Sequence, residues 1–245
     1  MFYDLKVGAV GAYNIQCARV FVRTATSEPF NCFPGAAYKL VLASQSIAEM
    51  ASGESFGVIL VVSDATGNPV STSNTITASL ETNIGSTLGG TLIQTLSTAT
   101  IASFPDLFLN NAAVGYQIVF SAPGLVPLIT NSFSVVAGVG TQLSVATQPI
   151  HSVAHSIMAS VIVNVMDSNN NIAPQTSATI NVGLSSESFF GSSSLAIIAA
   201  NGVATFNDLR INTVAAGLTM TFASSAQTSI TTTAFNTITG KPSLI

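Results

Sequence analysis

Two histidines, two cysteines and a few aspartates are the residues of this chain whose types and spacing could carry chemistry. His151 and His155 stand four apart in "QPIHSVAHSIM". On a helix that spacing puts two imidazoles on one face, where they can share a zinc ion. On an extended strand they sit about 13 Å apart and cannot, so they read as exposed loop histidines. Asp64, in "SDATGN", could open a calcium loop, but such loops alternate several carboxylates and this one holds a single acid. The competing reading is an Asx-type turn, in which the side chain caps its own backbone and Gly67 supplies a positive φ. Asp4, Asp106 and Asp208 recur in "FYDL", "FPDL" and "FNDL". A turn or strand-end cap explains one acid per repeat better than catalysis does. Serine and threonine are plentiful, but no Gly-x-Ser-x-Gly elbow and no nucleophile–base set accompanies them. "TLGGT" has no helix pattern after it, as a phosphate loop requires. The expectation is no catalytic, cofactor or metal site, and a chain that is not an enzyme.

The elements that position these residues are set by repetition. The Phe-x-Asp-Leu motif returns at an interval of 102 residues. "GAYNIQC", "VGYQIVF" and "AGLTMTF" follow it in turn, then "EPFNCFPG", "NSFSVVAG" and "TAFNTITG". Upstream, "VILVVSDATGNPV" matches "VIVNVMDSNNNIA". A fixed period marks repeated structural units. Within a unit the pattern has period two: Tyr116, Ile118 and Phe120 alternate with Gln117, Val119 and Ser121. Leu218, Met220 and Phe222 alternate with threonines. Alternation rich in Val, Ile, Thr and Phe, cut by Asn/Gly/Ser turns, is a strand signal with one buried face. For the first complete unit, strands are expected near 38–46, 56–64, 74–81, 87–95, 98–104, 114–122 and 128–136. About seven short strands in about a hundred residues define an Ig-like sandwich. The expected fold class is all-β: tandem Ig-like β-sandwiches with no helix. The expected domains are the second half of a repeat at 1–36, complete repeats at 37–139 and 140–239, and a first-strand stub at 240–245. Both ends read as cuts through a longer array, because a one-strand stub cannot supply the roughly four strands that the half repeat lacks.

The repeat alignment also places the cysteines. Cys17 falls at the core-facing place of Phe120 and Phe222, and Cys32 at that of Val135 and Thr237. A hairpin turning near 24–25 would set them opposite each other, within reach of a disulfide if the Cα atoms come within about 7 Å. The same positions suit two buried thiols, and the residues leave both readings open. A bond would fit an oxidising, extracellular location. A lysine-dependent isopeptide staple is not expected: 140–239 holds no lysine and 37–139 holds only Lys39.

Composition narrows the function. Of the 245 residues, 48% are hydrophobic and only 7% charged, against roughly 25% charged in an ordinary domain. No Lys or Arg occurs between Lys39 and Arg210. Nucleic-acid binding needs clustered Lys and Arg and is not expected. No apolar run approaches the ~18–20 residues of a spanning helix, and the chain lacks the aromatic girdles of a porin-like barrel. With no Trp and four Tyr, it has little to stack on sugars. A Ser/Thr surface with so little charge favours association. No Asn-x-Ser/Thr sequon is present, and O-glycans on "STSNT", "SSS" and "TTT" are left open as a cover.

The apolar strand followed by Asp64-x-x-Gly67-Asn68-Pro69-Val70, its diverged copy Asp167-Ser168-Asn169-Asn170-Asn171, and the downstream Phe-x-Asp-Leu and Gly-Tyr elements resemble the bacterial Ig-like repeats of invasin- and intimin-type surface proteins. The resemblance implies stalks and fibres projecting from cells. The expected function is therefore a structural segment of an extracellular fibre or filament that self-associates. The alternative is a cell-surface adhesin stalk or binding module for a glycan or protein.

Overall fold

The structure, a computed structural model, describes residues 5–44, 48–81 and 85–240. Asp4 and all but the first residue of the expected stub at 240–245 lie outside the described residues. Every regular element among the described residues is a β-strand, and no helix occurs there. The chain divides into two compact units. The first comprises Met1–Met50, Glu54–Leu109 and Ala113–Val135, and the second Ala51–Gly53, Asn110–Ala112 and Val136–Ile245.

In the first unit, Lys39–Ser44, Phe56–Ser63 and Ile101–Leu107 form a three-stranded antiparallel sheet with Phe56–Ser63 central. Val58, Leu60 and Val62 point into the core while Ile59 points to solvent, the period-two division that the sequence predicts. The facing layer is built on two strands that each bend midway. Ala113–Tyr116 pairs with Phe133–Val136, whereas Ile118–Ser121 pairs with Leu128–Ile129 and with Thr75–Leu80, which in turn pairs with Ile93–Thr95. At the bend, Gly115 (φ 86°) sits where the register slips between Val114 and Tyr116. A residue with a Cβ is disfavoured in that left-handed conformation. Buried Thr130 serves the bend, its Oγ1 accepting from the Ile118 amide at 3.0 Å.

The second unit repeats this plan. Gln142–Thr147, Val161–Met166 and Val203–Phe206 form one sheet, and Ala196–Ile198, Thr179–Leu184, Met220–Ala223 and Ile230–Thr231 lie in the facing layer. Gly217 (φ 69°) occupies the bend, and Thr232 Oγ1 accepts from the Met220 amide at 3.0 Å. In each unit the opening segment changes layers. Glu49–Ala51 joins Phe133–Val136 in the first, and Ser152–Val153 runs parallel to Phe235–Ile238 in the second. That exchange, with three strands in one layer and the bent pair in the other, is the Ig-like β-sandwich arrangement.

Both cores centre on one ring pair. Phe104 and Phe120 lie with centroids 5.0 Å apart, and Phe206 and Phe222 5.1 Å apart. The repeat seen in the letters is thus a repeat of packing. Residues 5–36 contain the same bent pair without a facing sheet: Gly11–Tyr13 pairs with Phe30–Cys32, and Gln16–Arg19 with Val22–Thr26. Their Tyr13–Phe30 rings (6.2 Å) reproduce the Tyr116–Phe133 contact (5.9 Å).

Phe222 is fully buried, so Phe222→Ala should cost about 3–5 kcal/mol as a large-to-small core change. Denaturant unfolding measures it, and a loss below about 1 kcal/mol would contradict the packing described.

Candidate functional site

The polar residues that recur in both units converge on one loop. Phe56–Ser63 ends at Asp64, and the chain turns back through Gly67 so that the Val70 amide bonds the Val62 carbonyl at 2.9 Å. Gly67 has φ 97°, and Asn170 takes its place in the second unit with φ 65°. Glycine tolerates that region, and asparagine is the side-chain-bearing residue that enters it most readily.

Within this turn the Asp64 carboxylate is almost enclosed. Oδ1 accepts from the Thr66 amide (3.0 Å), the Thr66 hydroxyl (2.8 Å) and the Asn68 amide (2.9 Å), and Oδ2 accepts from Asn68 Nδ2 (2.9 Å). Oδ2 also accepts from the amide of Gly35, at 2.9 Å, in the peptide leading into Lys39–Ser44. Asp167 does the same. Its Oδ1 accepts from the Asn169 and Asn171 amides, and its Oδ2 from Asn171 Nδ2 and from the Gly138 amide at 2.9 Å. Each aspartate therefore ties its own turn to the peptide that enters the sandwich.

The asparagines carry the tie outward. Asn68 Nδ2 reaches the Gly8 carbonyl (3.1 Å), and Asn171 Nδ2 reaches the equivalent Asn110 carbonyl (2.8 Å). In the second unit, Asn171 Oδ1 also accepts from the Ala112 amide (2.8 Å), and Asn169 Nδ2 donates to Ser52 Oγ (2.9 Å). Charge-assisted bonds of this kind hold a carboxylate ionised. The Asn68 side chain, then the Gly35 amide, keep Asp64 well below the usual carboxylate range. For Asp167, burial pushes upward, but donation from Asn171, Gly138 and Asn169 outweighs it and the net direction is down. Oxygens so fully engaged make clamps, and the Asx-turn reading of Asp64 describes half of what it does.

Asp106 and Asp208 staple a preceding loop to their strand. Thr91 donates its amide (2.8 Å) and hydroxyl (2.9 Å) to Asp106, and Ser194 donates its amide (3.1 Å) and hydroxyl (2.6 Å) to Asp208. Both carboxyls are lowered, Asp106 by the Thr91 amide first and Asp208 by the Ser194 hydroxyl first.

His151 and His155 are exposed in loops flanking Ser152–Val153. His151 Nδ1 accepts from the Asn236 amide at 2.9 Å, and His155 sits in a turn with φ 66°. Among the described residues no three His, Cys, Asp or Glu side chains gather as metal ligands.

Cys17 and Cys32 are free thiols, the first exposed and the second half-buried. The hairpin expected to turn near 24–25 turns instead at Val20–Phe21, setting Cys17 opposite Ala25, while Cys32 lies opposite Gly11 in a separate pairing. The turn position is the physical cause: both pairings keep, within a one-residue slip, the register of one hairpin that turns through Phe21 (φ 67°), so the cysteines never face each other. The alternative of two buried thiols also differs from the structure, since Cys17 has no sheet over it.

Sequence reading missed the bond from Asp64 to Gly35 and from Asp167 to Gly138. Its signal was present in the glycine that closes both "EPFNCFPG" and "NSFSVVAG".

Two layers with exchanged opening strands, repeated with the same core and the same clamp, define an all-β chain of Ig-like β-sandwich units. No protein-family profile matches the sequence, and no curated protein was found to be similar. Among solved structures, the chain is similar to the Escherichia coli adhesin FdeC (18% identity over 91% of this chain and 74% of that one, TM-score 0.40). It is also similar to the D0–D1 domains of intimin (11%, 83% and 99%, TM-score 0.31). A β-glycosidase from Bacteroides vulgatus matches 82% of this chain with 25% of its own, at 9% identity and TM-score 0.38.

Two predictions follow from the clamps and thiols. Folded-state carboxyls held below the ordinary value of about 3.9 leave the unfolded chain binding more protons below that pH. Stability contributed by Asp64 and Asp167 is therefore present above about pH 4 and lost as pH falls further. Acid unfolding followed by circular dichroism should be shallower in the Asp64→Asn/Asp167→Asn double variant than in the parent, and an unchanged acid slope would contradict the clamp. In dilute protein, maleimide should modify Cys17 before Cys32, read by peptide mass mapping. Failure to modify either without reduction would show a disulfide instead.

Proposed function

We propose that this chain is a structural segment of an extracellular fibre or filament, built of tandem Ig-like sandwiches and performing no catalysis. The observation that carries the reading is the repeated clamp: in both units a buried aspartate fixes the entering peptide to the same loop. Fixing that peptide costs conformational entropy, which is worth opposing where stiffness is the property in use. Conserving the device through two otherwise divergent repeats suits a load-bearing rod.

The surface supports self-association of such rods. On the outer side of the first unit's three-stranded sheet, Val41 and Ile101 each pair with Val61, and Ile59 is the next outward residue along the same strand. Val41, Ile59 and Ile101 are exposed, and this stripe offers a short-range contact independent of charge. The edge strand Ile101–Leu107 is a poor contact line, because Pro105 and a bulge between Phe104 and Leu107 blunt it. Neutral packing of this kind would serve outside a cell, with O-glycans as a further cover.

The second reading, an adhesin stalk or binding module, is favoured by an open cleft of about 410 Å³ in the first unit, where exposed Phe33 and Tyr38 stand beside Thr66 and Asn68. That combination could grip a glycan or a peptide.

Light scattering of the 245-residue chain from low to high salt, with negative-stain microscopy of native material, tests the fibre reading. Association should persist across the salt range and native material should show uniform filaments. A stable monomer at every salt, with isolated beaded rods on cells, would transfer the assignment to the adhesin stalk.

A further inference from the structure

The opening segments of the two complete repeats are fixed to their last strands in different ways. At one end they agree. The Ser52 amide bonds the Val136 carbonyl at 2.8 Å, and at the corresponding place the Ala154 amide bonds the Ile238 carbonyl at 2.9 Å. At the other end they differ. The Ser134 amide donates to the backbone carbonyl of Ala48 at 3.0 Å. Its counterpart, the Asn236 amide, donates instead to Nδ1 of the His151 side chain at 2.9 Å. The paired segment is shorter for it, Ser152–Val153 against Glu49–Ala51. The core anchor is missing as well. Met50 is buried in the first core, whereas Ser152, which stands in its place, buries a hydroxyl that has no hydrogen-bond partner. Upstream, Gln148 Oε1 accepts from the Thr233 amide (3.0 Å) and hydroxyl (3.2 Å). The second segment therefore leans on side-chain bonds at places where the first uses a carbonyl and a buried methionine.

We infer that His151 makes the opening segment of the second repeat a pH-sensitive catch, closed in neutral solution and released in acid, which the first repeat lacks. A ring nitrogen accepts a hydrogen bond only while it carries no proton, so this bond needs the neutral imidazole with its proton on Nε2. His151 is exposed, and solvent protons reach it. Histidine changes charge between about pH 5 and 8. A protonated Nδ1 would turn its N–H toward the Asn236 N–H, and the ring must swing away. The catch is therefore present above that range and lost as pH falls through it. The carbonyl of Ala48 has no such proton to gain, so the first repeat keeps its bond. Phe235–Ile238 and the strand beside it, Ala215–Leu218, carry no titratable side chain. Within 148–155 the only other one is His155, whose amide bonds the Ile211 carbonyl. On the adjoining loops Glu187 accepts from the Thr213 hydroxyl at 2.9 Å, Arg210 lies across from Ile157, and Lys241 falls outside the described residues. The inference goes beyond the fibre reading, because it concerns one repeat whether or not copies associate.

Amide hydrogen exchange of the full chain, resolved by residue with NMR, tests the catch at about pH 8 and about pH 5, after correction for the intrinsic pH dependence of exchange. The carboxylate clamps respond only below about pH 4, so this window leaves them closed. Protection of the Asn236 amide should fall severalfold in acid, while that of Ser134 stays constant. In His151→Asn the side-chain Oδ1 takes the place of Nδ1 and accepts at either pH, so Asn236 protection should no longer depend on pH. His151 is exposed, and this variant keeps the fold. His155→Asn should respond as the parent does. Constant protection of Asn236 in the parent overturns the catch. A fall shared equally by Ser134 overturns it too, since that marks general loosening of both repeats. So does a pH response that survives His151→Asn, or one that His155→Asn abolishes.

Discussion

Every feature of this protein depends on the need to cover the inner face of a β-sheet. Strands of alternating apolar and polar residues leave one greasy side, and water removal from that side is the largest favourable contribution to folding. In each complete unit two such sides close on one another around a phenylalanine pair, Phe104 with Phe120 and Phe206 with Phe222. A chain so poor in charge has little else with which to hold itself together, and the remaining polar machinery serves to keep the two layers aligned.

That machinery is mostly hydrogen bonding to carboxylates and hydroxyls at places where strands bend or end. Thr130 and Thr232 fill the amide left free by the mid-strand bend. Asp106 and Asp208 hold a loop against its strand. Asp64 and Asp167 hold the entering peptide. The acids are few, and these four are all spent on backbone geometry. This explains why residues that look like scattered catalytic candidates recur once per repeat.

The layers were legible in the sequence because period-two alternation is a local property. Tyr116, Ile118 and Phe120 announce which way their strand faces without reference to any partner. The role of Asp64 within its own turn was legible for the same reason. The bond from Asp64 to Gly35 was not, since it joins residues 29 apart and depends on where the fold returns the chain. The cysteine register failed for a related reason. A hairpin turning at 24–25 sets residues 17 and 32 opposite each other, but the chain turns four residues earlier, at Val20–Phe21, and alternation along a strand does not say where its turn falls.

The exchange of the opening segment between layers has a mechanical consequence. Ser152–Val153 lies parallel to Phe235–Ile238, which closes the same unit. Tension applied to a unit through its two ends would pull these neighbouring segments in opposite senses along their length. Their hydrogen bonds would then resist together in shear, where an antiparallel hairpin pulled from its open end would release them one at a time. Resistance to such a pull is set by the barrier to unfolding more than by equilibrium stability. A few backbone bonds at the entrance of each sandwich would therefore decide the force at which it yields.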